Sequence, residues 1–436
     1  MQKAFKKSLT GVLTILLLHG CVSTSMRVQV SKNTNVAPNI HHPSYKDVWS
    51  ALMALQTDMD SLQRFAPGIE MELFSKGLEY VRHGEDRQAE IIFKALSDTA
   101  FNPLVRKQSG KIYANLLFNA GKFQELSRLR ESAPATDSSE VDNGVLINAF
   151  RLAARETYHF PDNPVKLPLA LSKTGTPVVP VRLNGRKFNF WIDTGAGLSV
   201  LSSEVAEKCG VQTIGKETTS AGTATSKRVN IRPAIIDSLH ISSLCIDNHP
   251  AIIIDKSDLE FKLLGLITMV KIDGIIGWNA IRNMRLEIDF ANHEVSISKP
   301  RQRNSLPSNL FWLGYPIVEL ISENGVPLYF GLDTGARKSA VTQNIFTKIK
   351  AQPGVAKKET VGSAGGFEEL ERKTLANMTL HLGKYQLQFR DIKTLPAKGA
   401  VFIKTDGVIG SDVFNGARLI IDYQNNYLGY EALNDN

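Results

Sequence analysis

The spacing of apolar positions changes several times along the chain. A largely apolar run from Leu9 to Leu18 follows Lys3, Lys6 and Lys7, and residues 22–44 are polar and broken by Pro38 and Pro43. From about residue 45 to 131 apolar positions recur three and four apart, as in Leu78, Val81, Ala89, Ile92, Phe93 and Leu96, and again in Tyr113, Leu116, Leu117, Phe123 and Leu126. That spacing predicts helices, with Gly84 and Gly121 in the turns between them. A polar break at Glu131 to Ser139 follows, then a helix expected from Val145 to Tyr158. Beyond Asn163 the period falls to two, in short β-branched runs separated by Gly, Asn and Pro, as expected of an all-β region.

Within that β region the sequence repeats itself. Pro177 to Val181 and Pro316 to Leu320 are apolar strands leading to Asn184-Gly185 and Asn324-Gly325, a dipeptide suited to the positive φ angles of a tight hairpin. The returning strands, Phe188 to Ile192 and Leu328 to Leu332, both end in Asp-Thr-Gly-Ala, at 193–196 and 333–336. A second landmark pairs Asp273-Gly274-Ile275-Ile276-Gly277 with Asp406-Gly407-Val408-Ile409-Gly410. A third pairs Leu286 to Phe290 with Leu419 to Tyr423. Matched order, type and spacing predict a duplicated fold in two lobes, 163–300 and 305–434, behind an α-helical module at 45–158. The class expected is therefore multidomain, α followed by duplicated all-β.

One Asp-Thr-Gly is ordinary turn chemistry. Two, each behind an apolar strand and each trailed by an apolar-apolar-Gly landmark, place two carboxyl groups in equivalent positions. Amide hydrolysis without a metal or a covalent nucleophile needs one carboxylate to take a proton from water and a neighbouring acid to polarise the carbonyl. Two carboxyl groups about 3 Å apart do not both ionise readily, so the pair retains one proton and supplies both roles.

From about 165 to 434 the chain resembles the pepsin and retropepsin superfamily of aspartic proteases. The resemblance implies an acid-protease-type β-barrel in two lobes and an endopeptidase acting on extended polypeptides through Asp193 and Asp333, with no cofactor and no metal. It also implies that Thr194 and Thr334 cross-link the two loops, the arrangement known in the family as the fireman's grip, and that Gly195 and Gly335 let the backbone approach the carboxylates. Gly277 and Gly410 resemble glycines where a crossing strand packs beneath each loop. Ala196 and Ala336 stand where pepsin-like enzymes usually carry a hydroxyl, which resembles retropepsins and implies activity in mildly acidic to near-neutral conditions. Candidate flap hairpins carry Ala221 and Gly222 in the first lobe and Ala364 and Gly365 in the second; ordinary surface loops are the other reading of these segments.

The 436 residues, 43% hydrophobic and 22% charged, are ample for globular cores. The formal charge of +8 falls to about +5 without the three leader lysines, and basic residues are spread along the chain, so no nucleic-acid partner is called for. Residues 1–20 read as a signal peptide. Leu18-His19-Gly20-Cys21 resembles a bacterial lipobox, which implies an acylated Cys21, a lipid bilayer as partner, and a tether over 21–44. Val22 and Ser23, with no Asp after the cysteine, imply an outer-membrane protein facing the periplasm. Cys209 and Cys245 are left either to pair or to stay as buried thiols. The helices resemble tetratricopeptide hairpins, and either pack as a core or present a groove to a protein client. The nine His are scattered without zinc spacing. A rival to the protease is a non-catalytic envelope adaptor that grips peptides or proteins through the helices and the protease-like cleft.

Overall fold

A computed structural model describes residues 27–33, 44–131, 138–215, 217–223, 228–263, 267–302, 306–363, 366–395 and 402–432. The expected signal peptide, Cys21 and the flap residues Ala364 and Gly365 lie outside them. The expected combination of an α-helical part and a larger β-rich part is present.

The α-helical part contains the antiparallel run Ile69–Arg82, Asp86–Thr99, Pro103–Asn119 and Phe123–Glu131. Gly84 and Gly121 take φ values of +67° and +70° at the first and third turns, where a side chain would be strained. Asn102 starts the third helix by accepting from the N–H groups of Leu104 and Val105, with Pro103 as its first residue. Phe74, Leu78, Val81, Ala89, Phe93, Leu116 and Leu117 interlock, and the same core continues into Phe311, Leu313, Ile317 and Tyr329 of the β part. The helices therefore pack against the second half of the β region. Arg82 reinforces the seam with a 2.8 Å ion pair to Glu319.

In the first β unit, strands Pro177–Leu183 and Arg186–Ile192 form a hairpin through Asn184 (φ +47°) and Gly185 (φ +80°), with Val179 opposite Phe190. Arg186–Ile192 runs parallel to Gly274–Ile276, which also pairs antiparallel with Ser199–Ser202. In the second unit Pro316–Ser322 pairs with Pro327–Leu332, with Val318 opposite Phe330. Pro327–Leu332 in turn runs parallel to Gly407–Ile409, which pairs antiparallel with Ala340–Val341. The two units meet in a five-stranded sheet where Arg285–Asp289 pairs with Ala417–Asp422, placing Ile288 opposite Leu419. Buried Arg285 reaches across this seam to Asp422 at 3.2 Å, and Arg418 reaches back to Asp289 at 3.0 Å.

Three segments differ from the sequence expectation. Arg27–Lys32, inside the expected tether, is a strand in antiparallel register with Tyr385–Thr394, and its Val28 and Val30 pack against the β core. The helix expected over 145–158 spans Ser138–Phe150, and Thr157–His159 is a strand on Leu244–Ile254, so the β part starts ahead of residue 163. Cys209 and Cys245 are both free thiols.

The helices are also tied to the β units by polar contacts. Buried Asn119 accepts the Trp278 indole N–H at 3.2 Å and donates to the Tyr423 hydroxyl at 2.9 Å, and that hydroxyl donates to Asp86 at 3.0 Å. Trp278 stacks on Trp312 with ring centroids 5.8 Å apart, so one Asn joins the helices to both β units. Asn119→Ala leaves a buried indole donor without its acceptor and should cost about 1–3 kcal/mol of unfolding free energy, read by denaturant titration of the soluble protein.

Candidate active site

Each Asp-Thr-Gly-Ala stands where the returning strand of a hairpin ends. The Asp193 N–H donates to the Ile276 carbonyl at 3.1 Å and that of Asp333 to the Ile409 carbonyl at 3.0 Å, so each loop leaves its strand still fixed to the crossing strand beside it. Inside the first loop Gly195 N–H donates to Asp193 Oδ1, and inside the second Ala336 N–H donates to Asp333 Oδ1, both at 2.8 Å.

The two loops hold each other. Thr194 N–H donates to Thr334 Oγ1 at 3.1 Å, and Thr334 N–H to Thr194 Oγ1 at 3.0 Å. Each hydroxyl then donates across the seam at 2.8 Å, Thr194 to the Leu332 carbonyl and Thr334 to that of Ile192. Both threonines are wholly buried, whereas Asp193 and Asp333 are only half-buried. A methyl on Gly195 would come within 2.7 Å of the Asp333 carboxyl, and one on Gly335 would collide with that of Asp193. Each glycine thus gives the opposite carboxylate its place.

Beneath the loops, Gly277 and Gly410 leave no room for a side chain: a Cβ would strike the backbone at Leu198 and Ser199 in one case and at Lys338 and Ala336 in the other. The next residues clamp the loops, Trp278 N–H on the Ala196 carbonyl at 2.7 Å and Ser411 N–H on that of Ala336 at 2.9 Å. Ser199 and Ser339 accept from the Gly277 and Gly410 N–H groups at 3.1 and 3.0 Å and are themselves bonded to Asn279 and Asp412. Burial raises the Asp412 carboxyl to about 6. The first unit adds His249, wholly buried, with Nε2 2.7 Å from Ser199 Oγ and its other ring nitrogen on Glu156. Sequence reading missed these supports, although the offsets that relate the aspartates and the landmark glycines also relate Ser199 to Ser339 and Asn279 to Asp412.

Burial is the first cause that raises both carboxyls above the usual range, and the charge on Asp333 adds to it for Asp193. Tyr315, also missed, sets its hydroxyl beside Asp333: a Cβ on Gly195 would lie 2.7 Å from the hydroxyl and 2.7 Å from the Asp333 carboxyl. It follows Gly314 (φ +79°) just as Thr176 follows Gly175 (φ +84°). Because the two residues differ, a search for repeated motifs passes over them. Thr176 donates to the Gly335 carbonyl at 3.3 Å.

Of the candidate flap residues, Ala221 and Gly222 lie in strand Thr219–Gly222, paired with Arg228–Ile241. In the second unit Lys357–Ser363 and Gly366–Arg372 pair antiparallel as a separate two-stranded sheet.

No curated protein matches the chain. Residues 179–280 match a family model described as aspartyl protease. The matched stretch holds the first hairpin, Asp193 and Gly277, and it supports placing this chain with an aspartyl protease family.

Proposed function

We propose that the chain is an aspartic endopeptidase of the cell envelope, built from a duplicated acid-protease-type domain and hydrolysing extended polypeptides through a dyad of Asp193 and Asp333. The observation that carries this reading is the reciprocal support of the two loops. Thr194 and Thr334 lock them together, and each glycine abuts the opposite carboxyl. An arrangement this confined favours one proton shared between two carboxyls, the state needed for one to activate water while the other polarises the scissile carbonyl. The match of residues 179–280 to an aspartyl protease model supports protease chemistry in general. Strand Thr219–Gly222, paired with Arg228–Ile241, and the strand pair Lys357–Ser363 with Gly366–Arg372 suit flaps that hold substrate and exclude water. The helical part, fused to the second β unit through a common core, is a docking platform of fixed orientation for a protein client. No observation favours the adaptor reading over this one.

The site assignment is tested by peptide-pool cleavage with soluble protein lacking the leader, from about pH 3 to 8. Asp193→Asn and Asp333→Asn should each lower kcat/KM by about 10²–10⁴-fold, and the double variant should lose no more than the worse single one. Full activity in either single variant would refute the dyad.

Stability should move the opposite way. Both carboxyls ionise at higher pH in the fold than in the unfolded chain, so ionisation above the folded values weakens the native state, and that weakening is relieved as pH falls through them. Asp193→Asn should therefore be more stable than the wild type by about 0.5–2 kcal/mol near neutral pH. The difference should vanish in acid below the unfolded carboxylate range, where neither side chain is charged. Denaturant titration at both pH values checks this.

Anchoring is proposed through an acylated Cys21, with the protein on the outer membrane facing the periplasm. Cys21→Ser should shift the full-length protein out of the detergent-extracted membrane fraction and abolish incorporation of labelled fatty acid. Labelling that persists in the variant would refute the anchor.

A further inference from the structure

The two halves of the site match closely in backbone, and one of the side-chain pairs at which they differ, Thr176 and Tyr315, lies against the active loops. Backbone N–H groups of the loops donate to each carboxyl, led by Gly195 for Asp193 and Ala336 for Asp333. A tyrosine hydroxyl from outside the loops, that of Tyr315, lies beside the Asp333 carboxyl: a Cβ on Gly195 would be 2.7 Å from both, and the contact favours the charged form of Asp333. At the corresponding place in the first half Thr176 is too short to reach a carboxyl and donates to the Gly335 carbonyl instead.

The fold makes room for this tyrosine in one half only. Its ring lies over Gly331, where a Cβ would be 2.7 Å from Cε1 and 2.9 Å from Cδ1. The residue matching Gly331 in the first half is Trp191, in the same register of the same hairpin, since Val178 faces Trp191 and Ile317 faces Gly331. A small residue beside a bulky one, Gly331 with Tyr315, thus replaces a bulky residue beside a small one, Trp191 with Thr176. Gly195 completes the niche, because a methyl there would lie 2.7 Å from the Tyr315 hydroxyl. The hydroxyl is therefore held between the first loop and the carboxyl of the second.

We propose that Tyr315 is a positioning residue that breaks the symmetry of the dyad, fixing Asp333 as the ionised member and Asp193 as the member that carries the proton. This rests on the dyad reading above. A hydroxyl that donates to one carboxyl stabilises its charged form and leaves the shared proton on the other. In the resulting cycle Asp333 takes a proton from water as the water oxygen bonds to the peptide carbon, and Asp193 gives its proton to the carbonyl oxygen. Asp333 then passes its proton to the leaving nitrogen as the C–N bond breaks. Asp193 recovers a proton from one hydroxyl of the tetrahedral intermediate, which restores the starting state and releases an acid and an amine.

Tyr315→Phe keeps the ring on Gly331 and deletes only the donor. Its acid limb in the pH dependence of kcat/KM should rise by about one pH unit, with a loss of up to about 10-fold on the acid side of that limb and a thermal midpoint near that of the wild type. A variant with the wild-type acid limb overturns the proposal. Because this readout needs cleavage, a second one does not. In protein labelled with ¹³C at Asp carboxyls, Asp333 is titrated by NMR in the Asp193→Asn background, with and without Tyr315→Phe. An upward move of about one unit on loss of the hydroxyl is expected, and coincident titrations overturn the assignment even if no peptide is cut. Failure of the dyad reading itself would appear separately, as cleavage that survives Asp193→Asn and Asp333→Asn.

Discussion

Two carboxyl groups held side by side and largely shielded from water are costly to hold, and much of the β architecture around them serves to meet that cost. Left to itself the pair would separate or bind a cation. Here the backbone leaves it no such freedom: strand ends are fixed to crossing strands, two buried threonines bind the loops to each other, and glycines stand wherever a side chain would force the carboxyls apart. The same logic extends a layer deeper, where Ser199 and Ser339 hold the glycines beneath the loops. Preorganisation of this kind is what lets electrostatics act at the moment of reaction without the site having to rearrange.

The placing of the two loops also depends on structure far from them. The five-stranded sheet that joins the two β units fixes their relative position, and the paired ions Arg285 with Asp422 and Arg418 with Asp289 cross that junction in opposite directions. The helical part adds a third constraint. Its core runs without a break into the second unit, and Asn119 reaches the Trp278 that immediately follows Gly277. The helices are thereby tied, through Trp278, to the glycine beneath the first Asp-Thr-Gly loop.

What was legible in the sequence is what repeats or what turns demand. Asn184-Gly185 read as a tight hairpin and takes positive φ at both residues, and Gly84 and Gly121 were expected in turns and lie there. The doubled Asp-Thr-Gly-Ala located the two loops that the structure brings together. The segments misread were short or lacked a repeat. Arg27–Lys32 alternates too briefly to stand out from a polar stretch, and it becomes a strand because Tyr385–Thr394 offers it an edge. The helix over Ser138–Phe150 was masked by a polar start resembling a linker. Tyr315 and His249 were invisible for the opposite reason: each belongs to one half alone, and comparison of the halves finds only what they share.

The pH dependence of kcat/KM for a cleaved peptide tests the shared proton most directly. The account predicts a bell whose two limbs belong to the pair, with the alkaline limb well above the ordinary carboxylate range because burial and the neighbouring charge hold the last proton on Asp193. A profile confined to strong acid, or one with a single limb set by an isolated carboxyl, would contradict it.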